Sequence, residues 1–193
     1  MKKSYFSAIV ILLITLAFSE LTAQPQKNEK EDAKVFVQKF YDWYVALVNT
    51  PVKKKKGESC NCDDVAALTQ KSIDFDVHLR KAIIDDAKAQ AKANEIVGLD
   101  SDPFLAAQDI GFGYQAGTVK QVGQKFYVDI HYAEISKSKK QILAGPVAVV
   151  AEVTKTNGRW IFTNFIYPVD GRRDDLLTIL KNLATDRKTR AKK

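Results

Sequence analysis

The amino-acid sequence predicts an α+β fold in which N-terminal helices pack on a curved antiparallel sheet of about four strands, followed by a C-terminal helix. Apolar residues recur at helical spacing as far as Gly98, and from Thr118 onward they alternate with polar residues at the period of a strand. A leucine-rich segment at helical spacing follows near the end of the chain. Helices before a meandering sheet and one more helix are typical of the α+β class.

Residues 1–23 have the order of parts that is typical of a secretory signal peptide. Lys2 and Lys3 are followed by an uncharged apolar run, and Ala23 offers a small residue for cleavage before Gln24. The apolar run is shorter than the roughly 20 residues of a membrane-spanning helix, so an uncleaved anchor is the less favoured alternative. We therefore expect an exported chain, periplasmic or extracellular, without a stable membrane anchor after cleavage.

The rest of the chain has the length of one domain with its own core. Residues 24–32 are polar and indicate a flexible leader, residues 33–188 form the predicted domain, and residues 189–193 form a basic tail. The chain has 30 Lys and Arg against 23 Asp and Glu, but part of this excess is clustered at 53–56 and 137–140. Such blocks are usually solvated. Export and the lack of a stacking-aromatic motif argue against nucleic acid as a partner.

Four segments are predicted as helices, and one more as a single helical turn. The first helix carries an aromatic stripe, which indicates a large buried face. Asp102 precedes Pro103, and this pairing of a cap oxygen with a proline at the first helical position predicts the single turn. The helices are predicted at 31–49, from Asp63 or Asp64 to Leu68, from near Asp74 to Gly98, and from about Asp174 to Arg187.

Two hairpins are predicted in the second half of the chain. Asn157 and Gly158 separate two alternating runs, which is the strongest short hairpin signal, and a second turn is expected at Gly123 and Gln124. The strand between these turns has one apolar face, which should look inward, and one polar face. The apolar face consists of Phe126, Val128, Ile130 and Tyr132, and the polar face of Tyr127, Asp129 and His131.

Both tryptophans are expected to belong to one core. Trp43 lies in the aromatic stripe of the first helix. Trp160 follows the Asn-Gly turn, and two inward rows are open for its strand. One row has Trp160, Phe162 and Asn164, and the other has Ile161 and Phe165, with Val153 on the preceding strand.

Three segments resemble an exported bacterial family, abundant in Bacteroidetes, that is catalogued as a domain of unknown function. They are FVQKFYDWYV at 36–45, DPFLAAQD at 102–109 and GRWIFTNFIYP at 158–168. Such families are similar to the cone-shaped fold of nuclear transport factor 2, which ketosteroid isomerase and scytalone dehydratase share. The resemblance implies this fold, and it implies no established activity.

The cone fold often carries a pocket between its sheet and its helices, where burial can shift the pKa of an acid or a base. The residues predicted to line it are Phe40, Trp43, Tyr44 and Phe104. Weak catalytic candidates are Asp109, which has no capping role, Tyr44 and His131. An aromatic stripe is more often simply core, and a polar row opposite an apolar one is more often exposed.

Cys60 and Cys62 are the only cysteines and lie in a segment rich in lysine. A disulfide between them is favoured in an oxidising compartment although the ring is strained, and free thiols or bonds to another chain are the alternatives. No metal site and no cofactor is predicted, because a structural zinc site needs four ligands. We expect both cysteines to be dispensable for folding, since a short disulfide loop constrains the unfolded chain little.

The sequence contains no phosphate loop, no Gly-x-Ser-x-Gly motif and no recognisable set of acid, base and nucleophile. We therefore expect a non-catalytic module of the cell envelope that binds a small apolar ligand or a protein. The alternative is a small isomerase, dehydratase or hydrolase that uses a buried carboxylate such as Asp109. A concave pocket with a buried titratable group would favour the enzyme, and a filled cone would favour the binding module.

Overall fold

The structure, a computed structural model, describes residues 24–50, 63–93, 97–107, 113–135, 142–169 and 172–190. Its helices are α1 (Gln24–Val48), α2 (Asp63–Gln70), α3 (Val77–Lys92) and α4 (Leu176–Arg190), with a 3₁₀ turn at Ser72–Asp74. Its strands are β1 (Gly113–Val122), β2 (Lys125–Ile135), β3 (Ile142–Thr156), β4 (Arg159–Val169) and β5 (Arg172–Asp175). The predicted α+β class is confirmed. The predicted signal peptide, Asp109 and both cysteines lie outside the described residues.

The five strands of the described part form one antiparallel sheet in the order β1-β2-β3-β4-β5. About four strands were predicted. The additional strand is β5, whose four residues are all charged and give no alternation. Both predicted turns are confirmed, because Gly123, Asn157 and Gly158 adopt positive φ, as two-residue hairpins require.

One face of the sheet, the inner face, packs against the helices in a single hydrophobic core. The apolar face of β2 looks inward as predicted, with Phe126, Val128 and Ile130 buried. The opposite side of the sheet, the outer face, carries Asp129 and His131, which are only partly buried. The sheet therefore has the amphipathic pattern that the sequence indicated.

A β-bulge decides which residues of β4 face the core. The ladder between β3 and β4 includes Phe162 and Asn164 but skips Thr163. This extra residue shifts the alternation, so Phe162 and Phe165 are both fully buried although they are three positions apart. The first predicted row thus supplies Phe162, and the second supplies Phe165 of β4 and Val153 of β3. Neither row is correct as a whole.

The two tryptophans pack at the margin of the core. Trp43 and Trp160 are partly buried and contact the same hydrophobic cluster. The ammonium group of Lys71 lies 5.1 Å from the centroid of the Trp43 ring. Trp160 meets Phe126 edge to face, with ring centroids 4.9 Å apart. Both therefore join one core, as predicted, without lying at its centre.

Helix boundaries differ from the sequence pattern in four places. Helix α1 begins at Gln24, so it includes the predicted flexible leader, which has good helix formers and tolerates Pro25 in the first turn. Helix α3 begins at Val77 because the side chain of Asp76 caps it, and it ends at Lys92 rather than at the predicted Gly98 because the backbone of Ala93 is extended. Helix α4 continues to Arg190. No helix within the described ranges is long and apolar enough to cross a membrane.

Candidate functional site

The turn at 102–105 is held inside the molecule by tyrosines. Asp102 caps this turn as predicted, because its Oδ1 accepts hydrogen bonds from the backbone N–H groups of Phe104 and Leu105. Four phenols of the described part donate to four different acceptors of the turn. They are Tyr44 to Asp102 Oδ2 (2.5 Å), Tyr167 to Pro103 O (2.7 Å), Tyr41 to Phe104 O (2.7 Å) and Tyr114 to Leu105 O (3.2 Å).

Three of these phenols are held in the protonated form that a donor needs. Burial raises the pKa of Tyr41, Tyr114 and Tyr167 above the ordinary value for tyrosine, and the carboxylate of Asp102 adds to the effect. A buried carbonyl without a donor would cost about 1–3 kcal/mol. The tyrosines therefore explain how an irregular turn can lie against a hydrophobic core.

The aromatic residues that were predicted to line a pocket pack against one another. Phe40, Tyr44 and Phe104 are buried, and the rings of Phe40 and Tyr44 stack with centroids 5.5 Å apart. Trp43 lies beside them at the margin of the core. None of the four lines the groove described below. A pocket role for them stays a prediction.

Two carboxylates that the sequence pattern did not single out are buried in the described part, Asp86 and Glu152. Arg187 lies 2.5 Å from Asp86 Oδ1, and the backbone N–H of Leu99 donates to Asp86 Oδ2. Glu152 pairs with Lys125 at 2.9 Å and accepts from the Thr163 hydroxyl at 2.7 Å. Both carboxylates are paired with a cation and a donor, which is how proteins stabilise a buried charge.

A groove of about 570 Å³ runs between α1 and the edge strand β1. This volume is typical of sites for small molecules. The helix lines it with residues one turn apart, and the sheet lines it with the first part of β1 and one residue of β2. The lining residues are Glu31, Lys34, Val35, Gln38, Tyr41, Asp42, Val45, Ala133 and residues 113–116.

Gln38 joins the helix to the edge of the sheet. Its Nε2 donates to the carbonyl of Tyr114 (3.1 Å), and its Oε1 accepts from the N–H of Ala116 (2.7 Å). These are the two backbone groups that one residue of a parallel partner strand would bond. The side-chain amide therefore closes this part of the edge to another strand and fixes the distance between α1 and β1.

An adjoining cavity of about 380 Å³ continues the groove over the edge of β1 to the outer face. The groove and the cavity share Lys34, Gln115 and Ala116, and His131 and Thr118 complete the polar lining of the cavity. The side chains of Lys34, Gln115 and Thr118 have no hydrogen-bond or ion-pair partner among the described residues. The sequence pattern did not single out these three residues.

The imidazole of His131 has a fixed orientation in this cavity. Its Nδ1 lies 2.9 Å from the carbonyl of Gly145, and a carbonyl only accepts, so Nδ1 carries a proton and donates. The other edge of the ring lies over Gly117, where an added Cβ would be 2.6 Å from Nε2 and Cδ2. Gly117 belongs to a bulge in β1 between Ala116 and Val119. Nε2 therefore lies against Gly117, on the edge of the ring away from Gly145.

The structure does not bring the described catalytic candidates together. Tyr44 donates to Asp102 inside the core, whereas His131 lies on the outer face. In the ranges that the structure describes, no cluster of three or more histidine, cysteine or acidic side chains could hold a metal ion. Comparisons with protein-family models, with curated proteins and with solved structures found no match to this chain.

Proposed function

We propose that this protein is a non-catalytic binding domain whose site is the groove between α1 and β1, together with the adjoining cavity. The observation that carries this proposal is the set of unpartnered polar side chains in the cavity, Lys34, Gln115 and Thr118. These three side chains are exposed or only partly buried, and no buried side-chain nitrogen or oxygen in the described ranges lacks a partner. Open polar groups beside a cavity of ligand size are what a binding site requires.

The groove also offers an apolar wall. Val35, which is 41% exposed, lines it from α1 together with the buried Tyr41 and the partly buried Val45. Opposite them, Ala133 and Tyr114 form the wall on the sheet. A ligand with both apolar and polar parts fits this lining, and a segment of an envelope protein is the alternative occupant.

We also propose the cone-shaped fold of nuclear transport factor 2 and membership of the exported family. The three segments that resemble the family support this, as do register irregularities in three strand pairs, because bulges bend a sheet. The space between helices and sheet contains buried rings such as Phe40, Phe104 and Phe162. A site at the edge of the cone accords with a filled interior. Export to the periplasm or beyond rests on the predicted signal peptide.

A pocket enzyme remains the alternative prediction. It rests on Asp109, which lies outside the described residues. The other proposed participant, Tyr44, has its hydroxyl on the carboxylate of Asp102. The two buried carboxylates, Asp86 and Glu152, already have cationic partners. The described part therefore supports binding more directly than catalysis.

Titration with N-phenyl-1-naphthylamine, an uncharged apolar fluorophore, tests the binding proposal. We expect fluorescence enhancement with the wild type and affinity about tenfold weaker for Val35→Asp, a loss of about 1.4 kcal/mol. Ile73→Asp is the matched control, since Ile73 is 62% exposed on the 3₁₀ turn and lines neither part of the site. An unchanged affinity in Val35→Asp, or no binding by the wild type, would show that the groove is not a binding site.

A further inference from the structure

The groove has a cationic end. Lys34 lies where the groove meets the adjoining cavity and lines both. Its ammonium group has no carboxylate or carbonyl partner in the described residues. By contrast, Lys125 and Lys155 each pair with a glutamate. Lys34 is therefore free to pair with an anion that enters the cavity.

Hydrogen-bonding groups surround this end of the groove. Gln115 on β1 and His131 on β2 are direct cross-strand partners, so their side chains lie side by side on the outer face. The exposed Thr118 lies in the bulge of β1 and lines the same cavity. A hydroxyl and a side-chain amide can both donate to an oxyanion, so the cavity can meet more than one oxygen of a carboxylate.

From Lys34 the groove extends along α1. Lys34 and Val45 both line it, and at a rise of 1.5 Å per residue the helix covers roughly 16 Å between them. The side chains along this length include Val35 and Tyr41. An extended hydrocarbon chain matches this shape because it needs contact area and no hydrogen bonds.

We infer that the ligand is a single-chain amphipathic carboxylate, with its carboxylate at Lys34 and Thr118 and its hydrocarbon chain along α1; this rests on the proposed function of the groove. A single negative charge is favoured over a phosphate because Glu31 and Asp42 also line the groove and would repel additional charge. The lining also contains no arginine, the residue that binds phosphate in bidentate fashion.

Competition for the bound fluorophore tests the head group. The competitors are dodecanoate, dodecan-1-ol and dodecylamine, which have the same chain and differ in charge. In the wild type, we expect dodecanoate to bind about tenfold more tightly than dodecan-1-ol, the size of one charge-assisted hydrogen bond. Lys34→Gln should remove this preference, because dodecanoate then loses its cationic partner. Thr118→Val should lower the affinity for dodecanoate by about fivefold, because one hydrogen bond to the carboxylate is lost.

Lys39→Gln is the matched control, because Lys39 is an exposed lysine of α1 that lines neither the groove nor the cavity. It should retain the full preference for dodecanoate. The inference is wrong if dodecanoate and dodecan-1-ol bind equally to the wild type, or if dodecylamine binds most tightly. It is also wrong if Lys39→Gln lowers the preference for dodecanoate as much as Lys34→Gln does. In each of these cases, binding of dodecan-1-ol that is sensitive to Val35→Asp would still support the groove as the site.

Discussion

The turn at 102–105 and the groove beside β1 both lie against helix α1, yet they differ in their polar groups, which are hydrogen-bonded in the turn, whereas some in the groove have no partner among the described residues. In the turn, three carbonyls and one carboxylate each accept from a tyrosine. In the groove, Lys34, Gln115 and Thr118 have no partner in the described part of the chain. Stability explains the first region, because a buried polar group must be paired. Stability does not explain the groove and its adjoining cavity, where three polar side chains line one space without bonding each other.

Helix α1 serves both regions with different sides. Tyr44 points into the core, and Tyr41 is fully buried with its hydroxyl on the turn although it also borders the groove. Lys34 and Gln38 face the edge strand. Substitution of a residue that is bonded within the protein should therefore change the free energy of unfolding, and substitution of Lys34 should change binding. This separation can be tested in order of expected effect.

The largest effect is expected for Phe104→Ala in the turn. Phe104 is fully buried and its ring contacts those of Phe40, Tyr44, Phe75 and Phe165. Truncation leaves a cavity and should lower the free energy of unfolding by about 3–5 kcal/mol, measured by urea denaturation. Ile73→Ala, at an exposed position, should change it by less than about 0.5 kcal/mol. A loss below about 1 kcal/mol for Phe104→Ala would show that the turn is not part of the core.

A smaller effect is expected for Tyr41→Phe, which keeps the ring and deletes the hydroxyl that bonds the carbonyl of Phe104. The carbonyl would be left buried without its donor, at a cost of about 1–3 kcal/mol. Tyr127→Phe is the comparison, because Tyr127 lies partly exposed on the outer face, where water can replace the lost bond. Equal losses for the two variants would show that the phenols of the turn have no special structural role.

The same variant should alter the pH dependence of stability. Burial raises the pKa of Tyr41 above its ordinary value of 10.0, which is the value in the unfolded chain. Below that pH the phenol is protonated in both states and its contribution is complete. Above it only the unfolded state loses the proton, so stability falls by up to about 1.4 kcal/mol per pH unit for each such tyrosine. Denaturation curves from about pH 9 to 11.5 should show a shallower fall for Tyr41→Phe.

The smallest effect on stability is expected for Lys34→Gln in the groove. Its ammonium group makes no bond to a described residue, so the free energy of unfolding should change by less than about 0.5 kcal/mol. Gln38→Ala on the same helix should lower the free energy of unfolding by more, because it deletes the hydrogen bonds to Tyr114 and Ala116. If Lys34→Gln destabilises as much as Gln38→Ala does, Lys34 has a structural role and the comparison between the two regions fails.

Local features were predictable because their signals lie within a few residues. Asn157 and Gly158 predict a hairpin since both must adopt positive φ. Asp102 predicts a cap since its carboxylate reaches the N–H groups of the next residues. The inward face of β2 follows from the alternation of its side chains. His131 was predicted as a catalytic candidate from its side chain, but its place in the adjoining cavity was not predicted.

The sequence by itself determined the class of the fold, most of the helices, both hairpin turns and the cap at Asp102. Only the tertiary structure decided the bulge at Thr163, the bond from Tyr44 to Asp102 across 58 positions and the adjoining cavity that both Lys34 and Thr118 line. The physical reason is the distance along the chain over which the interactions act. Backbone preferences act between neighbours, whereas strand register and helix placement depend on the packing of the whole core.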